Sequence, residues 1–189
     1  MASEDERNEV LNRLRDAVSR LEDGMDPGLV PEVGTNLAYA VPGARSPSEV
    51  AAVEGRIVRL KGKVHPVGDV AFGASDHMAR VVLTTLKFDP RVRAAGNIGF
   101  SEEAVERLQD LLLEVCEFDR RKEPPGVSTM DWGVARCCRE GVPDVIFDRG
   151  AVGKEPMIRI LGEDPETVAK RIIQLGQRLM MQKGNSSRD

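Results

Sequence analysis

The segment 143–156, PDVIFDRGAVGKEP, delivers Asp148, Arg149, Lys154 and Glu155 from an apolar run into a loop that also contains Gly150 and Gly153. Guanidinium and ammonium groups in such a loop can bind phosphate, while Asp148 and Glu155 can hold Mg2+ or orient the neighbouring cations. The segment is not a Walker loop, because the G-x-x-x-x-G-K-[ST] spacing is absent and glutamate follows Lys154. A second constellation, Phe72-Gly73-Ala74-Ser75-Asp76-His77, sets a histidine in the first turn of a helix, just beyond a glycine-bearing loop whose N–H groups can receive an anion. The helix dipole disfavours the imidazolium form there, so His77 can serve as a neutral donor or acceptor, or else simply cap and pack. The third feature is charge. Residues 56–93 hold eight basic side chains (Arg56, Arg59, Lys61, Lys63, Arg80, Lys87, Arg91, Arg93) against three acidic ones, a local +5 in a chain of net charge −4. In a net-acidic protein such a concentration suits a small phosphorylated ligand better than a polyanion.

Composition narrows the chemistry further. Two histidines, His65 and His77, are too few for a metal site that needs three imidazoles from one chain. His65, between Val64 and Pro66 at a strand end, reads as structural. Aromatic residues make up 4% of the 189, too few for platforms that stack single-stranded bases, so no nucleic-acid partner is expected. Cys116, Cys137 and Cys138 are odd in number, and the adjacent pair cannot converge as a C-x-x-C turn does. All three are expected to be reduced, small buried hydrophobes. The acidic start Met1-Ala2-Ser3-Glu4-Asp5-Glu6 lacks an apolar signal region, and the longest stretch without charged residues, 33–44, falls far short of a membrane span. The expected location is the cytoplasm, without a membrane partner.

The elements that must position these groups are legible in part. Val10, Leu11, Leu14, Ala17, Val18 and Leu21 recur at helical spacing and predict an amphipathic helix over 4–21, closed by the breakers at 23–28. A strand follows at 37–41. Ser46-Pro47-Ser48-Glu49 has the form of a capping box and predicts the start of a short helix. Residues 56–64 read as strand, turn, strand around Lys61-Gly62-Lys63. Ser75 caps a helix running through Lys87; a strand near 94–100 and a helix from Ser101 to about Leu112 come next. Residues 115–118 form a strand, 122–130 a loop long enough to act as a lid, 132–139 a helix, and 144–147 and 157–161 strands on either side of the glycine-bearing loop. A last helix is capped by Asp164 with Pro165 at its first position, and the tail 184–189 should fray. Strands and helices alternate without a strict βαβ repeat, which predicts a mixed α/β sandwich forming a single domain over 1–189, with 1–28 as an N-terminal helix and turn.

Taken in order, the segments PEVGTN (31–36), GRIVR (55–59), PVG (66–68), FGAS-x-H (72–77), Asn97-Ile98, FDR (118–120) and the 143–156 stretch resemble the ThiN-type thiamine-phosphate synthases, found chiefly in archaea. The resemblance runs from about residue 30 to 160. It departs from the family at Ala151, where a second glycine is common, and at Gly99, where another side chain often follows Asn-Ile.

The resemblance implies a three-layer α/β/α domain with a mixed, mostly antiparallel sheet, similar to the class II aldolase and adducin fold. It implies a synthase joining hydroxymethylpyrimidine diphosphate to hydroxyethylthiazole phosphate, in thiamine diphosphate biosynthesis, with phosphorylated pyrimidine and thiazole partners. The family's catalytic pair falls on Arg56 and His77. Residue type within the matched segments adds Asn36, Arg59, Gly73, Ser75, Asn97 and Asp119 to Arg149, Gly150, Gly153 and Lys154 as candidate substrate or phosphate contacts. Asp148 and Glu155 are the candidate ligands of Mg2+, the expected cofactor. Aldolases of that fold hold zinc with several histidines, a set this chain lacks. The 30 or so residues before Pro31 read as one helix and a turn, with no kinase or helix-turn-helix, which favours a stand-alone synthase. The alternative is a non-catalytic thiamine-phosphate sensor using the same pocket. The apolar stripe of the first helix makes a homodimer a reasonable assembly.

Overall fold

Ser3 starts the first helix. Its hydroxyl accepts from the Glu6 N–H at 3.2 Å, and the Glu6 carboxylate accepts in return from the Ser3 N–H at 2.7 Å, which satisfies two of the donors a helix start leaves unpaired. This is α1 (Glu4–Gly24), followed in chain order by α2 (Asp76–Leu86), α3 (Glu102–Asp110), α4 (Thr129–Cys137) and α5 (Pro165–Ser186). The computed structural model describes residues 2–127 and 129–186. The strands are β1 (Leu37–Ala40), β2 (Val50–Val53), β3 (Ile57–Leu60), β4 (Lys63–Pro66), β5 (Val70–Phe72), β6 (Ala94–Gly99), β7 (Val115–Glu117), β8 (Val145–Asp148) and β9 (Met157–Gly162).

Seven strands form one sheet in the order β5-β2-β1-β6-β9-β8-β7, while β3 and β4 pair as a separate hairpin. Every neighbouring pair in the large sheet is antiparallel except β7 with β8. On one face lie α1 and α5, packed on each other; on the other lies α2, over β1, β2 and β6, with α4 against it. With both faces covered, β1, β2, β8 and β9 are buried at every position, as strands between two helical layers must be. Small residues in the middle strands let the helices close in. A Cβ at Gly96 would stand 3.1 Å from Val168 and 3.2 Å from Ile172, so α5 rests almost directly on the β6 backbone.

Several expectations need correction. The stripe Val10, Leu14, Ala17, Val18 and Leu21 is buried inside the chain, where each large aliphatic side chain contributes roughly 1.5–3 kcal/mol. It is therefore not a surface for a second copy. The capping box at Ser46 is present, but it opens a single 3-10 turn, Pro47–Glu49, because the all-apolar Val-Ala-Ala-Val that follows is drawn into the sheet as β2. The three-residue β5 carried no sequence signal. Cys116 and Cys137 are joined by a disulfide across 5.8 Å between Cα atoms, a separation that suits the bond; only Cys138 remains a buried thiol. The last helix continues to Ser186 rather than fraying at 184, and residues 187–189 lie outside the described residues. Of the predicted lid, Lys122 ends the 3-10 turn Arg120–Lys122 and Thr129 already begins α4; Ser128 lies outside the described residues. No described helix is long and apolar enough to cross a membrane.

Candidate active site

A cavity of about 250 Å3 opens at one end of the sheet. Its wall takes Val33, Gly34 and Asn36 from the loop before β1, Arg56 from the turn after β2, Ser75, His77 and Met78 from the start of α2, Asn97 from β6, Arg120 from the turn after β7, and Gly153, Lys154, Glu155 and Met157 from the approach to β9.

Arg56 is placed by a turn that only an unusual backbone can make. Gly55 and Arg56 both have φ of 70°, the left-handed region, where a residue with a Cβ bears roughly 1–2 kcal/mol. The Arg56 Nη1 donates to the Val33 carbonyl. The 33–36 loop is itself held from three sides. Asn36, 3% exposed, accepts at Oδ1 from the Val53 N–H at 2.9 Å and donates Nδ2 to the Val53 carbonyl at 3.0 Å. Asn97 accepts from the Asn36 N–H at 2.7 Å and donates to the Gly34 carbonyl at 3.0 Å. Glu155 accepts from the Glu32 N–H at 3.0 Å and the Val33 N–H at 3.4 Å.

Ser75 caps α2 by accepting from the Met78 N–H at 3.3 Å, which fixes the first turn and His77 within it. Solvent reaches the His77 side chain through the cavity. Even so, loss of water around the ring, aided by the positive charges of Arg159, Arg120 and Arg56 and opposed by Asp148, pushes its pKa down to about 4. At neutral pH the imidazole is uncharged. Beneath the cavity, Asp148 is fully buried: it accepts from Arg159 Nη1 at 2.8 Å, from Arg120 Nη2 at 3.2 Å and from the Gly150 N–H at 2.9 Å, and Arg120 Nε lies 2.6 Å from its other oxygen. Among the described residues no group of three or more His, Cys, Asp or Glu is arranged to hold a metal ion.

A family model, thiamine-phosphate synthase ThiN, matches residues 13–174. The chain belongs to this family. It is 36% identical to thiamine-phosphate synthase ThiN of Methanothermobacter thermautotrophicus, over 93% of this chain and 97% of that protein. It is 44% identical to the bifunctional thiamine biosynthesis protein ThiDN of Methanocaldococcus jannaschii, over 88% of this chain but 40% of that protein, so the chain spans less than half the length of that relative. Its fold superposes on the crystal structure of the C-terminal domain of a phosphomethylpyrimidine kinase with a TM-score of 0.83 at 40% identity, covering 89% of this chain and 99% of that one. A putative aldolase/epimerase/decarboxylase from Escherichia coli is similar at a TM-score of 0.51 and 13% identity over 92% of this chain and 87% of that one, a likeness of fold alone. The resemblance drawn from the motifs and the α/β fold class it implied are therefore both upheld.

Of the candidate residues, the ThiN fold brings Asn36, Arg56, Ser75, His77, Asn97, Gly153, Lys154 and Glu155 to one cavity. Within it, Asn36 and Asn97 have their amides engaged with backbone, so they shape the wall rather than present free donors for phosphate. Arg59, Gly73, Asp119, Asp148, Arg149 and Gly150 do not line it. Arg59 and Gly73 are exposed. Asp119, held down to a pKa of about 2 by Arg121, joins Arg149, Gly150 and Arg120 around a second hollow of about 340 Å3. Arg149 does not reach this cavity, because it pairs with Glu102 and Glu117 and lies against Phe100 and Phe147. Asp148 is not a metal ligand in this arrangement, since guanidinium and amide donors surround it. The +5 segment also disperses. Arg80 pairs with Asp76 and Asp131, Arg91 with Asp89, and Arg93 donates to the Ala40 carbonyl, leaving Arg56 as the basic residue of that stretch in the cavity wall. His65 is a surface residue, its Nδ1 3.3 Å from Glu22. Arg120 and the buried Arg159 were missed as candidates. Arg120 sits inside the quoted F-D-R segment, a signal that favoured its neighbour Asp119; Arg159 lies in an apolar strand and had none.

Proposed function

We propose that this protein is a transferase, a thiamine-phosphate synthase that joins hydroxymethylpyrimidine diphosphate and hydroxyethylthiazole phosphate to give thiamine phosphate and diphosphate. The observation that carries the reading is the convergence of Arg56 and an uncharged His77 on one cavity with Arg120 and Lys154, in a chain of the ThiN family. The thiazole nitrogen donates its electron pair to the exocyclic methylene carbon of the pyrimidine. The bond from that carbon to the diphosphate oxygen breaks, and its electron pair leaves with the diphosphate. Because the pyrimidine ring can delocalise positive charge, bond breaking can run ahead of bond making. Catalysis then consists of holding the two partners in line and stabilising the departing anion.

Arg56 clamps diphosphate oxygens, which a planar guanidinium can contact two at a time. Its strained turn and the Val33 carbonyl fix its direction before substrate arrives. His77 offers a neutral imidazole that hydrogen-bonds the leaving oxygen or the pyrimidine amine. Lys154, on the tight Ala151–Lys154 turn, holds the thiazole phosphate. Glu155, whose oxygens also accept from the Glu32 and Val33 N–H groups, would hold Mg2+, and the ion would supply charge neutralisation to the diphosphate.

The deciding assay mixes the purified protein, both phosphorylated precursors and Mg2+, and follows diphosphate release together with thiamine phosphate formation. Turnover is expected, and substitution of Arg56 or His77 by alanine should slow it more than tenfold with circular dichroism unchanged. Absence of turnover in the unaltered protein, alongside tight thiamine phosphate binding, would replace the synthase by a sensor.

A further inference from the structure

Arg159 stands on β9 opposite Asn97 of β6 and Ile146 of β8, and its side chain is fully buried. One of its nitrogens donates to Asp148 at 2.8 Å, and the guanidinium carbon lies 5.5 Å from the centre of the Phe118 ring. Its Nε and Nη2 have no hydrogen-bond partner among the described residues. Asp148 is shared with Arg120, whose side chain is 9% exposed and reaches the cavity wall. One carboxylate therefore stands between two guanidiniums, neither of which gives up its proton in a protein. The cluster carries one uncompensated positive charge under the cavity.

Native folds rarely bury charge in excess of its partners without a use for it. The other carboxylates at this end are already directed elsewhere, Glu155 to the N–H groups of Glu32 and Val33, and Glu123 to Lys154. An anion that enters the cavity would supply the countercharge. Arg159 has a specific part in this. By drawing on the same carboxylate, it leaves Asp148 able to orient Arg120 without neutralising it.

We propose that Arg120 is an anion contact of the cavity that works beside Arg56 on the diphosphate group, and that Arg159 positions it through Asp148. The assignment deepens the synthase reading and rests on it for the identity of the anion. The test is calorimetric titration of the full chain with inorganic diphosphate, independent of turnover. Arg120→Ala should weaken binding at least tenfold with the melting temperature within a few degrees of the parent. Arg120→Lys should recover only part, since one ammonium cannot grip two oxygens in a plane. Arg159→Lys should weaken binding in the parent but add nothing once Arg120 is alanine, a non-additivity that a merely structural role would not give. Unaltered diphosphate binding in Arg120→Ala overturns the proposal; so does equal affinity of Arg120→Lys and the parent should the alanine variant fail to fold, and so does failure of the parent to bind diphosphate. Arg120-dependent binding without synthase turnover would sink the synthase reading and leave this one standing. Turnover unaffected by loss of Arg120 would do the reverse.

Discussion

Arg56 is held in a left-handed conformation by its turn, and that strain can be separated from its chemistry. Glycine adopts the same φ freely, although it also gains entropy in the unfolded chain. Arg56→Gly should therefore match or exceed the parent in stability, by up to about 1 kcal/mol in denaturant unfolding, while turnover is lost; Arg56→Ala should lose turnover and keep the strain. His77 has its own signature. Because its pKa is lowered to about 4 from 6.5, the unfolded chain binds a proton that the folded chain refuses between those values. Stability contributed here is complete above pH 6.5 and falls as the pH drops toward 4. Nuclear magnetic resonance of the ring in the free protein should show a midpoint near 4, and addition of diphosphate should raise it. A midpoint near 6.5 in the free protein would mean that neither loss of water around the ring nor the surrounding cations act on it.

At the scale of elements, α4 is tied to the site through Phe118. A Cβ on Gly133 would fall 2.4 Å from the Phe118 ring, which is fully buried and lies beside the Arg159 guanidinium. Gly133→Ala should therefore destabilise by about 1–3 kcal/mol despite alanine's higher helix propensity. Because Phe118 backs Arg159, it should also raise the KM for the diphosphate substrate. The Cys116–Cys137 bond ties the same helix to β7, and it closes a loop with a sequence separation of 21. Cys116→Ser should lower unfolding stability by about 3 kcal/mol under non-reducing conditions. Mass spectrometry after alkylation without reductant should find Cys138 as the sole thiol, reactive only on unfolding, since burial pushes its pKa up to about 11. Neither link is visible in sequence. Cys116 lies on a strand and Cys137 on a helix, and an odd cysteine count shows neither that a pair forms nor which two pair.

For the molecule as a whole, what was legible followed from local physics. Ser75, Ser101 and Asp164 each mark a helix start because capping is settled within four residues. The resemblance carried Arg56 and His77 because their surrounding motifs survive intact. The failures share one cause, dependence on distant partners. Val50–Val53 becomes a strand only because β1 and β5 flank it. The basic count in 56–93 cannot show that Arg80 and Arg91 pair with Asp76, Asp131 and Asp89 away from the cavity. Asp148 looks like a free carboxylate until Arg120 and Arg159, 28 residues before and 11 after it, close on its oxygens. The cavity draws on Arg56, His77, Asn97, Arg120 and Glu155, which span much of the chain, and β9 must slot between β6 and β8 before its last wall exists. The site is thus a clock for folding: helix signal should return first in a refolding experiment, and diphosphate binding only in the slowest phase, when the C-terminal strands are in place.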